Sequence, residues 1–311
     1  MILHGDCIEQ SEQIESGSVD LILTDPPYGT VKDINAEGFG MSGKTSWDNA
    51  IEPKALFQIS NRILRKNGKL ILFSQEPYTS ELITNAIPNL LFGYRMIWEK
   101  DHYANALLAK KAPVSYYEDI LVFSKNHDYE GLHPLREYFK QVIQHIGLNL
   151  KQINTSLGHR RAEHSFYVDS TQFSLCTEGT YKELIEVFAI DKMKGFKSFE
   201  ELEKVNNRFN DEFNSVFNLW EGKKYKSNIL KYKKDYSGHH PTQKPVALLE
   251  DLIKTYSNEN NLVVDLTCGS GSTAVAAIRT NRRFVVIEKE EKYYNIAKQR
   301  IEQEQNALKL F

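Results

Sequence analysis

The feature that most constrains this chain is the stretch Leu21-Ile22-Leu23-Thr24-Asp25-Pro26-Pro27-Tyr28-Gly29. An apolar run from Val19 to Leu23 drives straight into an acid, two prolines and an aromatic. That is how a buried strand of a parallel sheet ends at a rim where a ligand can sit. Proline offers no N–H to the ladder, so the strand stops there. Both prolines keep their carbonyls, and with the Asp25 carboxylate they form a rim rich in acceptors beside the flat face of Tyr28. Such a rim suits a planar ring carrying an exocyclic amine. A plain strand-to-helix turn, with proline as the stop and Asp25 as a cap, accounts equally for these four residues taken alone.

Around this stretch the pattern alternates. Met1 to Cys7 reads as a short strand closed by Gly5-Asp6-Cys7, with Asp6 placed to cap a helix. Gly29 to Asn49, with Gly38, Gly40, Gly43 and the pair Trp47-Asp48, is a glycine-rich loop read as a lid over a reaction site. Pro53 to Leu64 has helical spacing, Lys66-Asn67-Gly68 is expected to end that helix, and Lys69 to Ser74 is a buried strand. A helix near Tyr78 to Ala86, a strand near Tyr94 to Glu99 and another over Glu118 to Lys125 extend the series. Strand, helix, strand, helix predicts an α/β fold with a doubly wound parallel sheet.

Residues 126–238 read differently, as a mainly helical insertion. Phe199, Leu202, Val205, Phe209, Phe213 and Phe217 form one apolar stripe, which is core packing. Asn149 to Leu157, Gly158, then His159 to Tyr167 reads as helix, glycine turn, helix, followed by a helix over Thr180 to Phe188. This resembles a helix-turn-helix and would put Arg160, Arg161 and His164 at the reading end of its second helix; an ordinary helical hairpin with a basic tip is the alternative. Lys223, Lys224, Lys226, Lys231, Lys233 and Lys234 alternate with Tyr225, Tyr232 and Tyr236, a pattern suited to phosphate contact.

After His239 the α/β pattern returns. His240-Pro241-Thr242-Gln243-Lys244-Pro245 precedes an amphipathic helix, and a strand ends at Asp265. The run Asp265-Leu-Thr-Cys-Gly-Ser-Gly-Ser-Thr273 then turns tightly into an apolar helix, and Arg283 to Glu288 is the next strand. A glycine turn between strand and helix brings backbone N–H groups close to a ligand, as many nucleotide sites require. Asp265 before the glycines and Glu288 at the end of the next strand are placed to accept two ribose hydroxyls. Nothing resembles the lysine ending of a phosphate-binding loop.

Asp-Pro-Pro-Tyr first, an insertion second and the glycine turn last is the permuted order of the beta class of DNA amino-methyltransferases, which this chain resembles at both flanks. The insertion is only loosely similar, like that of some phage-associated members. The resemblance implies a Rossmann-like class I methyltransferase domain over residues 1–125 and 239–311, with residues 126–238 as a target-recognition insertion. It implies S-adenosylmethionine as methyl donor, held by Asp6, Cys7, His240, Thr242, Lys244, Asp265, Thr267, Cys268, Gly269, Gly271, Ser272, Thr273 and Glu288. Among these, Thr242 and Lys244 would hold the donor's carboxylate. Asp25, Pro26, Pro27 and Tyr28 would act on the N6 amine of an adenine flipped out of double-stranded DNA, since Asp in the first position accompanies adenine more often than cytosine. Arg160, Arg161, His164, Lys223, Lys224 and Lys226 would contact the DNA. Cytosine N4, RNA or protein methylation, and a non-catalytic DNA-binding protein on the same scaffold, are the competing readings.

Composition adds bounds. The 311 residues carry a formal net charge of −2, so any DNA contact must gather positive charge locally. Three cysteines, Cys7, Cys176 and Cys268, make no metal-ligand spacing. Met1 to Asp6 lacks the regions of a signal peptide and no apolar stretch is long enough to cross a membrane, so a cytoplasmic protein is expected. A companion restriction endonuclease and a homodimer rest on the resemblance alone.

Overall fold

Strand formation here starts from burial on both faces. Leu21, Ile22 and Leu23 are wholly buried, which only a central strand covered on both sides provides. The computed structural model describes residues 1–29, 51–104, 109–111, 113–126, 133–170, 172–212, 214–235 and 243–308. In chain order the elements begin β1 (Ile2–His4), α1 (Cys7–Gln10), β2 (Val19–Thr24), α2 (Pro53–Ile63), β3 (Leu64–Ser74), α3 (Tyr78–Thr84), β4 (Leu90–Ala104) and β5 (Ser115–Lys125). Four helices follow, α4 (Leu135–Ile146), α5 (Leu150–Leu157), α6 (Glu178–Phe188) and α7 (Phe199–Glu212). The chain then adds β6 (Ile229–Lys231), α8 (Val246–Tyr256), β7 (Leu262–Asp265), α9 (Ser272–Arg279), β8 (Arg283–Glu288) and α10 (Glu291–Leu308). No described helix is long and apolar enough to cross a membrane.

The chain divides into two compact units, Met1–Asn126 with Ser215–Phe311, and His127–Asn214. The first holds an eight-stranded sheet in the order β1-β8-β7-β2-β3-β5-β4-β6. The late strands β7 and β8 thus lie between the early strands β1 and β2. From β2 the chain winds outward through β3, and from β7 it winds the other way to β8. The β2–β7 boundary, where Leu21 faces Val263 and Ile22 faces Val264, is therefore the switch point at which open α/β sheets bind ligands. Ile22 and Val264 point to a core shared with α2 and α3, and Leu23 and Val263 to one shared with α8 and α9. Each such buried aliphatic side chain stabilises the fold by roughly 1.5–3 kcal/mol.

Several expectations need correction. The sheet is not all parallel, because β5 runs antiparallel to both β3 and β4. No described helix separates β4 from β5, and strands joined without a crossover must return antiparallel. The helix expected to end at Lys66-Asn67-Gly68 ends at Ile63 instead. These three residues form an irregularity inside β3: Val19 faces Leu64 but Leu21 faces Lys69, and Asn67 sits at φ 62°. Arg65 is held there by Asp20 at 2.6 Å.

The boundary of the insertion also moves. Residues 215–235 belong with the sheet, where β6 pairs with β4 and Trp98 donates its indole N–H to the Tyr232 carbonyl at 2.8 Å. Asn218 donates its side-chain amide to the carbonyls of Lys254 (3.1 Å) and Ser257 (3.2 Å). Phe217, counted in the helical stripe, lies beyond the end of α7 and meets the Tyr256 ring edge-on. Phe213 lies outside the described residues.

The helical unit packs around Phe139, Ile153, Leu184 and Leu202. Helix α5 ends as expected at Gly158, in the left-handed region at φ 75°. The second helix of the expected helix-turn-helix is absent: His159 to Tyr167 is a turn leading into one 3₁₀ turn, Glu163–Phe166. Within that turn Ser165 and Phe166 are both buried, and the Ser165 hydroxyl accepts the Cys176 N–H at 2.8 Å and donates to the Ser174 carbonyl at 2.8 Å. These ties turn the backbone back toward residues 174–176 and leave no room for a regular helix.

Candidate active site

At the end of β2, Thr24 is almost fully buried and donates its hydroxyl to the Asp265 carboxylate at 2.8 Å. Thr267 lies 2.8 Å from the Thr24 hydroxyl and donates its own to the Asp25 carbonyl at 3.0 Å. The early Asp-Pro-Pro-Tyr and the late glycine turn are thus tied together, side by side at neighbouring strand ends. Asp265 also accepts the Thr273 hydroxyl (2.5 Å) and the Thr267 N–H (3.1 Å). Expected to accept a ribose hydroxyl, it is committed instead to bracing the turn. Burial pushes its carboxyl up to about 6.

Asp25 uses both carboxylate oxygens. The Tyr28 hydroxyl donates to one at 2.5 Å, and the Lys244 ammonium pairs with the other. Lys244, expected to hold the donor's carboxylate, is placed on Asp25 in the structure. It also contacts Glu118 at 3.1 Å, and Glu118 contacts Lys100 at 3.2 Å. Two acids and two ammonium groups therefore form one buried, charge-balanced cluster, the arrangement that makes buried charge tolerable. Burial would lower the Lys244 pKa, but Asp25 and Glu118 more than reverse it, so the side chain stays cationic. Burial would raise Glu118, and the ammonium groups of Lys244 and Lys100 outweigh it. For Asp25 burial wins, aided by Glu118 and opposed by Lys244, and the carboxyl is raised. Burial and the adjacent Asp25 push the Tyr28 phenol well up, so it stays a donor.

Glu118 and Lys100 were not singled out from the sequence. The signal that could have found Glu118 is the direction of β5: a strand running against its neighbours starts at the edge where they end.

The glycine turn is shaped mainly by its packing. A Cβ on Gly271, at φ 82°, would come within 3.0 Å of the Ala297 side chain on α10. Arg300 on the same helix donates to the Ser270 carbonyl (2.7 Å) and lies 3.3 Å from the Ser272 hydroxyl. Glu288, at the end of β8, accepts the N–H groups of Gly269 and Glu290, each at 2.8 Å. One N–H on each oxygen leaves acceptor capacity for a ligand. Burial raises its carboxyl.

Beside it, Asp6, two residues past the end of β1, caps α1 through the Ile8 N–H at 2.9 Å and pairs with Lys289 at 3.0 Å. Burial acts against the Asp6 carboxylate, but those two partners hold its pKa below the usual range. Burial pushes the Cys7 thiol up to about 11 and the Cys268 thiol well above its ordinary value, which keeps both as thiols. Among the described residues no cluster of His, Cys, Asp and Glu could hold a metal ion.

The rim of the sheet unit therefore gathers Asp6, Cys7, Asp25 to Tyr28, Lys244, the 265–273 turn and Glu288. His240, Thr242 and the glycine-rich loop 30–49 lie outside the described residues. Arg160, Arg161 and His164 belong to the helical unit. Arg160 pairs with Glu163 at 2.9 Å, Arg161 with Glu183 at 2.7 Å, and His164 contacts the Gln172 carbonyl at 3.0 Å. Lys223 and Lys224 are exposed, Lys223 beside Glu221 at 2.9 Å. Lys226 is not available to phosphate: its side chain is 7% exposed and paired with Asp251, which also accepts the Trp220 N–H and the Tyr232 hydroxyl, each at 2.9 Å.

Comparison with known proteins gives four findings. The family described as DNA methylase, of the N6/N4 type, matches residues 19–299. Over 307 residues the chain is 25% identical to the DNA adenine methyltransferase YhdJ of Escherichia coli K12, covering 97% of this chain and 82% of that protein. Over 305 residues it is 23% identical to the Type II methyltransferase M.HpaI of Haemophilus parainfluenzae, covering 98% and 75%. Among solved structures, the M1.HpyAVI–SAM complex superposes with a TM-score of 0.53 at 18% identity, covering 97% of this chain and 98% of that one, which is a likeness of fold.

Proposed function

The chain belongs to the N6/N4 DNA methylase family, and from that premise we propose that it methylates the N6 amine of an adenine flipped out of double-stranded DNA, with S-adenosylmethionine as donor. The observation that carries this reading is the convergence of Asp25 with the 265–273 turn through Thr24 and Thr267. The residues around the turn fit such a donor. Glu288 keeps acceptor capacity for ribose hydroxyls, and Asp6 and Cys7 close the neighbouring strand end. When bound, the donor supplies a methyl group made electrophilic by its sulfonium.

The chain's own residues solve the other half of the problem. An exocyclic amine is a weak nucleophile because its lone pair is delocalised into the ring. Asp25 and the Pro26 carbonyl accept its two N–H bonds, which turns the lone pair out of the ring plane and stabilises the positive charge that develops on nitrogen. To make room, Asp25 exchanges Lys244 or Tyr28 for the substrate amine. Glu118 keeps Lys244 paired during that exchange, so its charge is not turned on the reacting centre. The nitrogen forms a bond to the methyl carbon as the carbon–sulfur bond breaks, and the surplus proton leaves the nitrogen for Asp25 or water.

Adenine is favoured by Asp25 in the first motif position and by a full-length relative named as an adenine enzyme. The helical unit is the target-recognition part in this reading, with Arg160 and Arg161 exposed on the turn after α5. A relative named as a Type II methyltransferase supports a companion endonuclease. The test is to incubate the purified protein with duplex DNA and methyl-labelled donor, digest, and identify the labelled nucleoside. N6-methyladenine is expected; N4-methylcytosine would reassign the base, and no label in DNA would refute the reading.

A further inference from the structure

Because β5 is reversed, its first residues stand at the same edge of the sheet as Asp25. Along one face of that strand, residues two apart are neighbours, about 6.5–7 Å from each other. Glu118 on this face joins the Lys244–Asp25 cluster, and the next residue outward on the same face is Tyr116. Tyr116 is 50% exposed, and the Tyr103 ring, 53% exposed, lies 6.0 Å from it and is tilted by 57°. Neither ring joins a hydrophobic core among the described residues. The connection between β4 and β5 also carries Lys110 and Lys111, both exposed.

We infer that Tyr103 and Tyr116 form a stacking platform for DNA bases bordering the flipped nucleotide, with Lys110 and Lys111 on the adjoining phosphates. This rests on the proposed function and adds a DNA-contact surface to it, outside the helical unit. The tilt prevents a base from being sandwiched between the rings, so bases pack on their outer faces. Continuity with the Asp25 cluster and the adjacent positive charge both favour nucleic acid as the occupant. Aromatic stacking is sequence-tolerant, so this platform would hold the duplex open without reading it. Tyr117 supplies an internal control: it is 48% exposed but points to the opposite face of β5.

The test measures affinity for a fluorescein-labelled duplex by anisotropy, and the KM for the same duplex in methyl transfer. The variants are Tyr116→Ala, Tyr103→Ala/Tyr116→Ala, Tyr116→Phe and Tyr117→Ala. Loss of a stacking ring is expected to weaken duplex binding about ten-fold or more. Tyr116→Phe and Tyr117→Ala should stay within about two-fold of wild type, and donor binding by calorimetry should be unchanged throughout. Lys110→Ala/Lys111→Ala should lower the slope of log affinity against log salt by about one to two. A double tyrosine variant with wild-type affinity, or a Phe variant as impaired as the Ala one, would overturn the inference. If the wild type binds the duplex but transfers no methyl group, the proposed function falls while the anisotropy series still decides the platform.

Discussion

Two regions of the molecule, the buried lysines of the sheet unit and the basic turn of the helical unit, handle charge in opposite ways. In the sheet unit Lys226 and Lys244 each keep only 7% of their side chain exposed and are paired with Asp251 and Asp25. On the turn after α5 in the helical unit, Arg160 and Arg161 stay 75% and 62% exposed while pairing with Glu163 and Glu183. Burying an ion pair costs several kcal/mol unless the geometry is good and the remaining hydrogen bonds are made. Such pairs therefore persist where several elements converge on one place. Exposed pairs contribute little and can trade a carboxylate for an incoming phosphate at small cost. The rim of the sheet is arranged in advance, and the basic turn is free to adapt.

The sharpest way to break this contrast is Asp25→Ala. Methyl transfer should fall by about 10²–10³-fold, the scale seen when one aligned electrostatic contact is removed from a reacting centre. Calorimetry should show that donor binding survives, and turnover near the wild-type rate would dismiss the orienting role of Asp25. Next comes Asp251→Ala, which leaves Lys226 buried without its carboxylate. A loss of about 3–5 kcal/mol is expected in urea unfolding.

Asp265 offers a pH test of the same buried polar network. Its carboxyl titrates near 6 in the folded chain, against an ordinary value near 4. The folded state then holds this proton more firmly than the unfolded state, so its contribution to stability falls as pH rises from about 4 to 6. Asp265→Asn cannot ionise and should lose that descending component, of order 3 kcal/mol across the window; melts at four pH values would show it, and an unaltered slope would exclude Asp265 as the source. Glu118→Gln should lower kcat about ten-fold with little change in donor KM, because Lys244 then presses its charge on Asp25 alone. At the small end, Arg161→Ala should cost under about 1 kcal/mol, read from the same urea curves.

The contrast also explains what could be read in advance. Asp25, the 265–273 turn and Glu288 are motifs at strand ends, where proline and glycine mark the position without any tertiary knowledge. Glu118 and Lys244 could not be placed that way. Their meeting depends on β5 running backwards, which follows from a long-range pairing of β3 with β5 rather than from local pattern. In the helical unit the apolar period located α5, α6 and the start of α7 but overran at both disputed places. His159 to Tyr167 has helix-compatible residues, yet Ser165 ties its backbone to residues 174–176. Phe217 continues the stripe numerically, but the chain has already left for the sheet unit. The lysine-tyrosine run misled for a related reason: composition could not distinguish Lys226, sunk onto Asp251, from Lys223 and Lys224 at the surface.

The insertion of β7 and β8 between β1 and β2 has a consequence for biosynthesis. A nascent chain that has exposed everything up to β6 carries a sheet with its middle missing, and β2 has no neighbour on one side. Asp25 gains its brace from Thr267 only after the 265–273 turn has left the ribosome. A product truncated before β7 would therefore carry the Asp-Pro-Pro-Tyr rim without the cleft.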